Sequence, residues 1–135
     1  MVVDTDVLID YSKGFGEGLG KILERRDRGE VGVAICGVSL AEFLTDKQLK
    51  EKSNLKRAME FLNQFRCLAP TKKICELAGE LGREGKVFSL PDAMIAATCM
   101  VNRCQLATRN VKHFKKVGGL SFINKHGLDR HYPTG

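Results

Sequence analysis

No apolar run in this chain approaches the ~20 residues needed to cross a bilayer, so no membrane association is expected. The first residues, MVVDTD, carry neither a basic n-region nor an apolar h-region. That predicts no signal peptide and a cytoplasmic location. The five cysteines (Cys36, Cys67, Cys75, Cys99 and Cys104) are odd in number, and no two are spaced C-x-x-C. This argues against a disulfide framework or a zinc site and predicts buried, reduced thiols. His113, His126 and His131 have no metal-ligand spacing to any cysteine. There is no internal repeat and no low-complexity segment.

What is there suits one domain over 1–135. At 135 residues and 43% apolar content, the chain can bury a real core. Met1 to Val3 reads as a short strand without polar alternation, as expected for a strand buried on both faces. Leu19, Ile22 and Leu23 mark a short amphipathic helix that Gly29 can end. Val31 to Cys36 is a second strand, and Ser39 starts a helix with Leu40, Phe43 and Leu44 on its apolar side. Leu55, Ala58, Met59, Leu62 and Phe65 follow helical spacing. Arg66 to Ala69 reads as a strand. Pro70-Thr71 then opens a helix carrying Ile74, Leu77, Ala78 and Leu81. Ala93 to Val101 is apolar all round, which predicts a helix enclosed by the protein. Gln105 to Thr108 and Leu120 to Ile123 are further strands. The alternation predicts an α/β fold: a three-layer α/β/α sandwich, Rossmann-like, with a central parallel sheet.

Four residues stand at or soon after strand-like segments: Asp4, Glu42, Asp92 and Asn110. The carboxyl ends of parallel strands share one edge, where open sheets bind ligands. Three carboxylates and an amide gathered there would suit a hard divalent ion such as Mg²⁺ or Mn²⁺. Each residue alone also fits a cap. Ser39-x-x-Glu42 and Ser89-x-x-Asp92 have capping-box spacing, Asp4 or Asp6 can cap the helix after the first strand, and Asn110 can cap a turn before Phe114. Capping does not require the four to share one edge.

Charge adds a second pattern. The formal net charge is +6, and from Arg103 onward seven basic residues (Arg103, Arg109, Lys112, Lys115, Lys116, Lys125, Arg130) face one acid, Asp129. A basic field beside an acidic cluster suits a polyanionic substrate held by a metal. Asp6 and Asp10 are expected as exposed helix acids, and Thr5 and Thr108 as buried residues bonding their own backbone.

The segments DTDVLID, SLAEFL, LPDAMIAATC and LATRNVKHF, in order and spacing, resemble the motifs of PIN-domain nucleases, and most closely the VapC-type ribonuclease toxins. The resemblance spans nearly the whole chain. It implies a metal-dependent endoribonuclease, the toxin of a type II toxin–antitoxin pair, acting on RNA with Mg²⁺ or Mn²⁺. It also implies a homodimer and a cognate antitoxin. Asp4, Glu42 and Asp92 match the family's metal-binding and catalytic acids. Asn110 and His113 stand where many members carry acids, which puts a second metal site in question. On this reading Asp4 and Asp92 are the principal metal ligands and Glu42 orients or deprotonates the attacking water. Asn110 completes the shell, and Arg109 and Lys112 contact phosphate. Two other classes compete: a haloacid-dehalogenase-like phosphatase using Asp4 of the D-x-D start, and a non-catalytic RNA-binding domain. A histidine-based, metal-free cleavage would need His113, His126 or His131.

Overall fold

Alternation along each strand explains the two-sided core. In the computed structural model of the protein, residues 1–123 are described, and His126, His131, Lys125, Asp129 and Arg130 lie outside them. In chain order the elements are β1 (Val2–Val3), α1 (Thr5–Ser12), α2 (Glu17–Asp27), β2 (Ala34–Cys36), α3 (Gly37–Phe43), α4 (Lys52–Leu62), β3 (Arg66–Leu68), α5 (Lys72–Arg83), α6 (Leu90–Asn102) and β4 (Leu106–Ala107). Val2, Cys36 and Leu106 join one apolar cluster with Ile74, Ala78 and Leu81 of α5 and Ile95, Ala96 and Cys99 of α6. Their neighbours Val3, Ile35 and Ala107 join the other, with Leu8 of α1, Leu19 and Ile22 of α2 and Leu62 of α4. Successive side chains in a strand point to opposite faces, so helices on both sides are needed to cover them. The result is the expected α/β/α sandwich.

The sheet is parallel throughout, in the order β3-β2-β1-β4. The chain steps outward from β1 through β2 to β3, then returns to the other side of β1 as β4. A topological switch point therefore lies between β1 and β4, and open α/β sheets bind ligands at such points. The strand expected over Leu120–Ile123 shrinks to one parallel bridge, Phe122 to Leu106. Its backbone still reaches the β4 edge through Ile123 N–H to Leu106 O at 3.1 Å.

Side-chain caps start three of the six α-helices among the described residues, α1, α5 and α6. Thr71 Oγ1 accepts from Ile74 N–H and Ser89 Oγ from Asp92 N–H, both at 3.2 Å. These side-chain oxygens satisfy helix donors that have no partner within the helix. Gly29 stands just beyond the end of α2 at φ +76°, as its place in the sequence suggested. Helix α6 is enclosed as expected, with Ala93, Ile95, Ala96, Ala97, Thr98 and Cys99 all buried.

Two expectations fail. The capping box at Ser39 does not form. Helix α3 begins two residues earlier, at Gly37, and Ser39 lies inside it, fully buried, 3.4 Å from Cys36 Sγ. Gly37, the first residue of α3, packs close to Pro70: a Cβ there would lie 3.2 Å from Pro70 Cδ. With α3 starting at Gly37, Glu42 falls near the end of the helix rather than in its first turn. The thiols also divide. All five are free, but Cys67 and Cys75 are exposed, Cys67 on the edge strand β3 and Cys75 on the outer side of α5. Among the described residues no helix is long and apolar enough to cross a membrane.

Ser89→Ala should therefore cost about 1 kcal/mol of stability, the usual loss for a helix cap, whereas Ser39→Ala should cost clearly less. Urea unfolding of the two variants checks this, and equal losses would mean that the buried Ser39–Cys36 contact is worth as much as a cap.

Candidate active site

Strand β1 ends by driving a carboxylate into the protein. Asp4 follows the fully buried Val2 and Val3, donates its N–H to Ala107 O at 2.9 Å, and is itself 6% exposed. Its Oδ1 accepts from Thr5 N–H at 2.7 Å, which makes it the cap of α1. Its Oδ2 accepts from Thr108 Oγ1, also at 2.7 Å, across the gap between β1 and β4. Cap and site residue are here one side chain. Burial raises its pKa to about 7, nearby Asp6 and Asp92 push the same way, and the bonds from Thr108 and Thr5 oppose them.

The other expected residues lie around this point. Thr5 Oγ1 donates to Glu42 Oε1 at 2.8 Å, so α1 and α3 meet through a threonine and a carboxylate. Asp92, in the first turn of α6, is close enough to Asp4 to raise its pKa, and its Oδ2 is 3.5 Å from His113 Nδ1. Asn110 does not cap the 3₁₀ turn at Val111–His113 with its side chain; its Nδ2 donates to Asp6 Oδ2 at 2.9 Å. That commits the amide nitrogen, so any contact with a cation falls to Oδ1. Lys112 is exposed, and Arg109 pairs its Nη1 with Asp10 Oδ2.

Four further residues, Thr5, Asp6, Asp10 and Thr108, join these contacts, contrary to expectation. Asp6 and Asp10 are not exposed helix acids. Asp10 is 6% exposed, and Asp6 has a buried Oδ1 without a hydrogen-bond partner. Burial raises the Asp6 pKa, opposed by the bond from Arg109 N–H. A detectable signal existed: Asp6 and Asp10 sit four apart on one helix, where like charges repel unless something positive lies over them. Thr5 and Thr108 bond carboxylates rather than their own backbone, because the adjacent ends of β1 and β4 set each facing one.

The donor set is chemically that of a divalent-cation site. All the groups are hard oxygens, one buried carboxylate oxygen is orphaned, and the repulsion among Asp4, Asp6 and Asp92 is what a cation would relieve. Among the described residues no three Asp, Glu, His or Cys side chains are already arranged to hold an ion. Binding through one or two carboxylates with retained water, as Mg²⁺ is commonly held, fits this open arrangement.

Similar proteins are known for both the sequence and the fold. Ribonuclease VapC10 of Mycobacterium tuberculosis is 32% identical over 118 residues, covering 84% of this chain and 85% of the relative. The solved structure of VapBC2 from Rickettsia felis, bound to a promoter DNA fragment, is similar at TM-score 0.75 and 22% identity, over 91% of this chain and 96% of that one. A toxin–antitoxin complex from Klebsiella pneumoniae is similar at TM-score 0.69 and 28% identity, over 92% and 96%. The family model for the PIN domain matches residues 1–120, and this chain belongs to the PIN domain family.

Proposed function

We propose that the protein is a metal-dependent endoribonuclease, the toxin of a type II toxin–antitoxin pair, that hydrolyses RNA phosphodiester bonds. The carrying observation is the buried Asp4 at the switch point, hydrogen-bonded to Thr108 and within electrostatic reach of Asp6 and Asp92. The ribonuclease relative supports RNA as substrate, and the solved toxin–antitoxin complexes support a cognate antitoxin as partner. A homodimer, carried from the resemblance, and a cytoplasmic location complete the reading.

Asp4, Asp92, Glu42 and the Asn110 amide oxygen would hold Mg²⁺ or Mn²⁺, directly or through water. When bound, such an ion supplies Lewis-acid stabilisation of phosphoryl charge and makes a nearby water more acidic. The remaining work belongs to the protein. Thr108 and the Thr5 N–H keep the Asp4 carboxylate in one orientation, and Thr5 Oγ1 fixes Glu42. Glu42, half-buried and held at one oxygen, orients the attacking water and takes its proton at the other. Lys112, exposed beside the site, attracts the phosphate backbone.

RNA cleavage should be lost in EDTA, return with Mn²⁺ or Mg²⁺, and fall to background in Asp4→Asn and Asp92→Asn, with 5′-phosphate and 3′-hydroxyl products. Cleavage that survives EDTA with 2′,3′-cyclic phosphate ends would move the chemistry to a histidine.

The same charge has a stability signature. An acid with a raised folded pKa holds its proton more tightly folded than unfolded. Its penalty is therefore absent below pH 3.8, grows as pH rises to about 7, and is complete above that. Asp4→Asn should raise the Tm of the metal-free protein at pH 7.5, with the gain shrinking toward pH 4. A gain that does not change with pH would mean that Asp4 ionisation is not the cause.

Asn110→Asp separates structure from ion binding. It removes the donor to Asp6 and places a second charge against it, so the metal-free protein should melt lower. The extra carboxylate should tighten Mn²⁺ binding in a calorimetric titration. Unchanged affinity would remove Asn110 from the metal site.

A further inference from the structure

Arg109 lies beside the acidic site, but its side chain turns inward. Its Nη1 pairs with Oδ2 of Asp10, whose side chain is 8% exposed, while its own is 30% exposed. Its backbone N–H donates to Asp6 Oδ2 at 3.3 Å, and Asn110 Nδ2 donates to the same oxygen at 2.9 Å. On its other side Thr108 Oγ1 donates to Asp4 Oδ2 and accepts from Asn110 N–H at 3.0 Å. Three consecutive residues thus meet Asp4, the cap of α1, and two acids on that helix. Thr108 takes Asp4, Arg109 takes Asp6 and Asp10, and Asn110 takes Asp6.

The geometry of each link differs. The Thr108 and Asn110 bonds use short side chains, so they form only if the backbone of this segment is held close to α1. The Arg109–Asp10 pair reaches furthest along the helix and involves a buried charge, which makes breaking it costly. It also places a fixed positive group over two like charges four residues apart. Lys13, exposed, lines the same cleft of about 370 Å³ with Asp6, Asp10, Arg109 and Asn110. A polyanion approaching that cleft has Lys13 available without disturbing the pair.

We propose that Arg109 is a positioning residue. Its anchorage to Asp10 sets the Thr108–Asn110 segment against α1, so that Thr108 and Asn110 hold Asp4 and Asp6 in their working arrangement, and its guanidinium does not serve as a phosphate contact. The activity consequence rests on the ribonuclease reading above; the structural consequence does not.

The test compares Arg109→Gln, Asp10→Asn and the double variant. Positioning predicts that each single variant lowers kcat by about tenfold or more, shifts KM for RNA by less than about twofold, and that the double variant is little worse than the poorer single. The salt dependence of RNA binding in EDTA should be unchanged, since a lost phosphate contact would reduce the slope by about 1. Independently of activity, hydrogen exchange by NMR should speed up at the Arg109 and Asn110 N–H groups in Asp10→Asn. Should Arg109→Gln fail to fold, the isosteric Asp10→Asn carries the test. A raised KM and a reduced salt slope in Arg109→Gln, with parent-like kcat in Asp10→Asn, would make Arg109 a phosphate contact and overturn the proposal. If the parent protein cleaves no RNA, the ribonuclease reading fails, while unchanged exchange in Asp10→Asn would still overturn the role given to Arg109.

Discussion

The burial of one carboxylate organises this molecule. Asp4 lies where a fully buried strand gives way to a helix, and a charge there is disfavoured by desolvation. Two hydrogen bonds, from Thr5 N–H and Thr108 Oγ1, offset part of that cost and account for both oxygens. They do not neutralise the charge, and Asp6 and Asp92 add to it. Each neighbouring feature then has a reason. The β1–β4 gap brings Thr108 into reach, α1 carries Thr5 toward Glu42, and the segment after β4 supplies donors to Asp6. A site that keeps an acid close to neutrality when empty gains most from a cation, because the ion stabilises the form the protein alone disfavours.

The fold was largely legible because its signals are local and redundant. Strands β1, β2 and β4 are short apolar runs, and α4, α5 and α6 carry either clear helical spacing or continuous apolarity. What failed to read depended on contacts between distant segments. Ser39 has capping-box spacing, yet α3 starts at Gly37 directly after β2 and carries the serine inside it, buried. The strand at Leu120–Ile123 has the right composition but keeps one bridge, at Phe122. Cys67 and Cys75 stand in apolar stretches, but exposure follows the edge of the sheet and the outer side of α5, which composition does not record.

The candidate site was legible in which acids converge and illegible in its hydrogen bonds. Asp4, Glu42, Asp92 and Asn110 could be selected from their positions after strands. Hydrogen-bond partners could not, since the Thr108–Asp4 pair is separated by 104 residues and the Thr5–Glu42 pair by 37. Local precedent favours a buried threonine bonding its own backbone, and here tertiary placement overrides it. Asp6 shows the same lesson with opposite sign. A first-turn acid is ordinarily exposed, but the segment after β4 folds over this one and leaves an oxygen buried without a partner.

The competing chemistries can be weighed on these same contacts. A phosphatase using Asp4 as nucleophile would need a carboxylate oxygen open to an incoming phosphorus. Asp4 is 6% exposed, caps α1 with one oxygen and accepts from Thr108 with the other, which leaves less room for a tetrahedral phosphoryl group than for a small cation or its bound water. Cleavage by paired histidines fares no better among the described residues. His113 lies against Asp92 and the exposed ring of Phe88, its centroid 4.7 Å away, and both neighbours belong to the edge where the acids gather. A purely RNA-binding surface gives no reason to bury Asp4, whose two hydrogen bonds offset only part of the cost of its charge. Activation of water at a cation would account for acids inside and Lys112 outside: the carboxylates would hold the ion, and the outer lysine would draw in the phosphate.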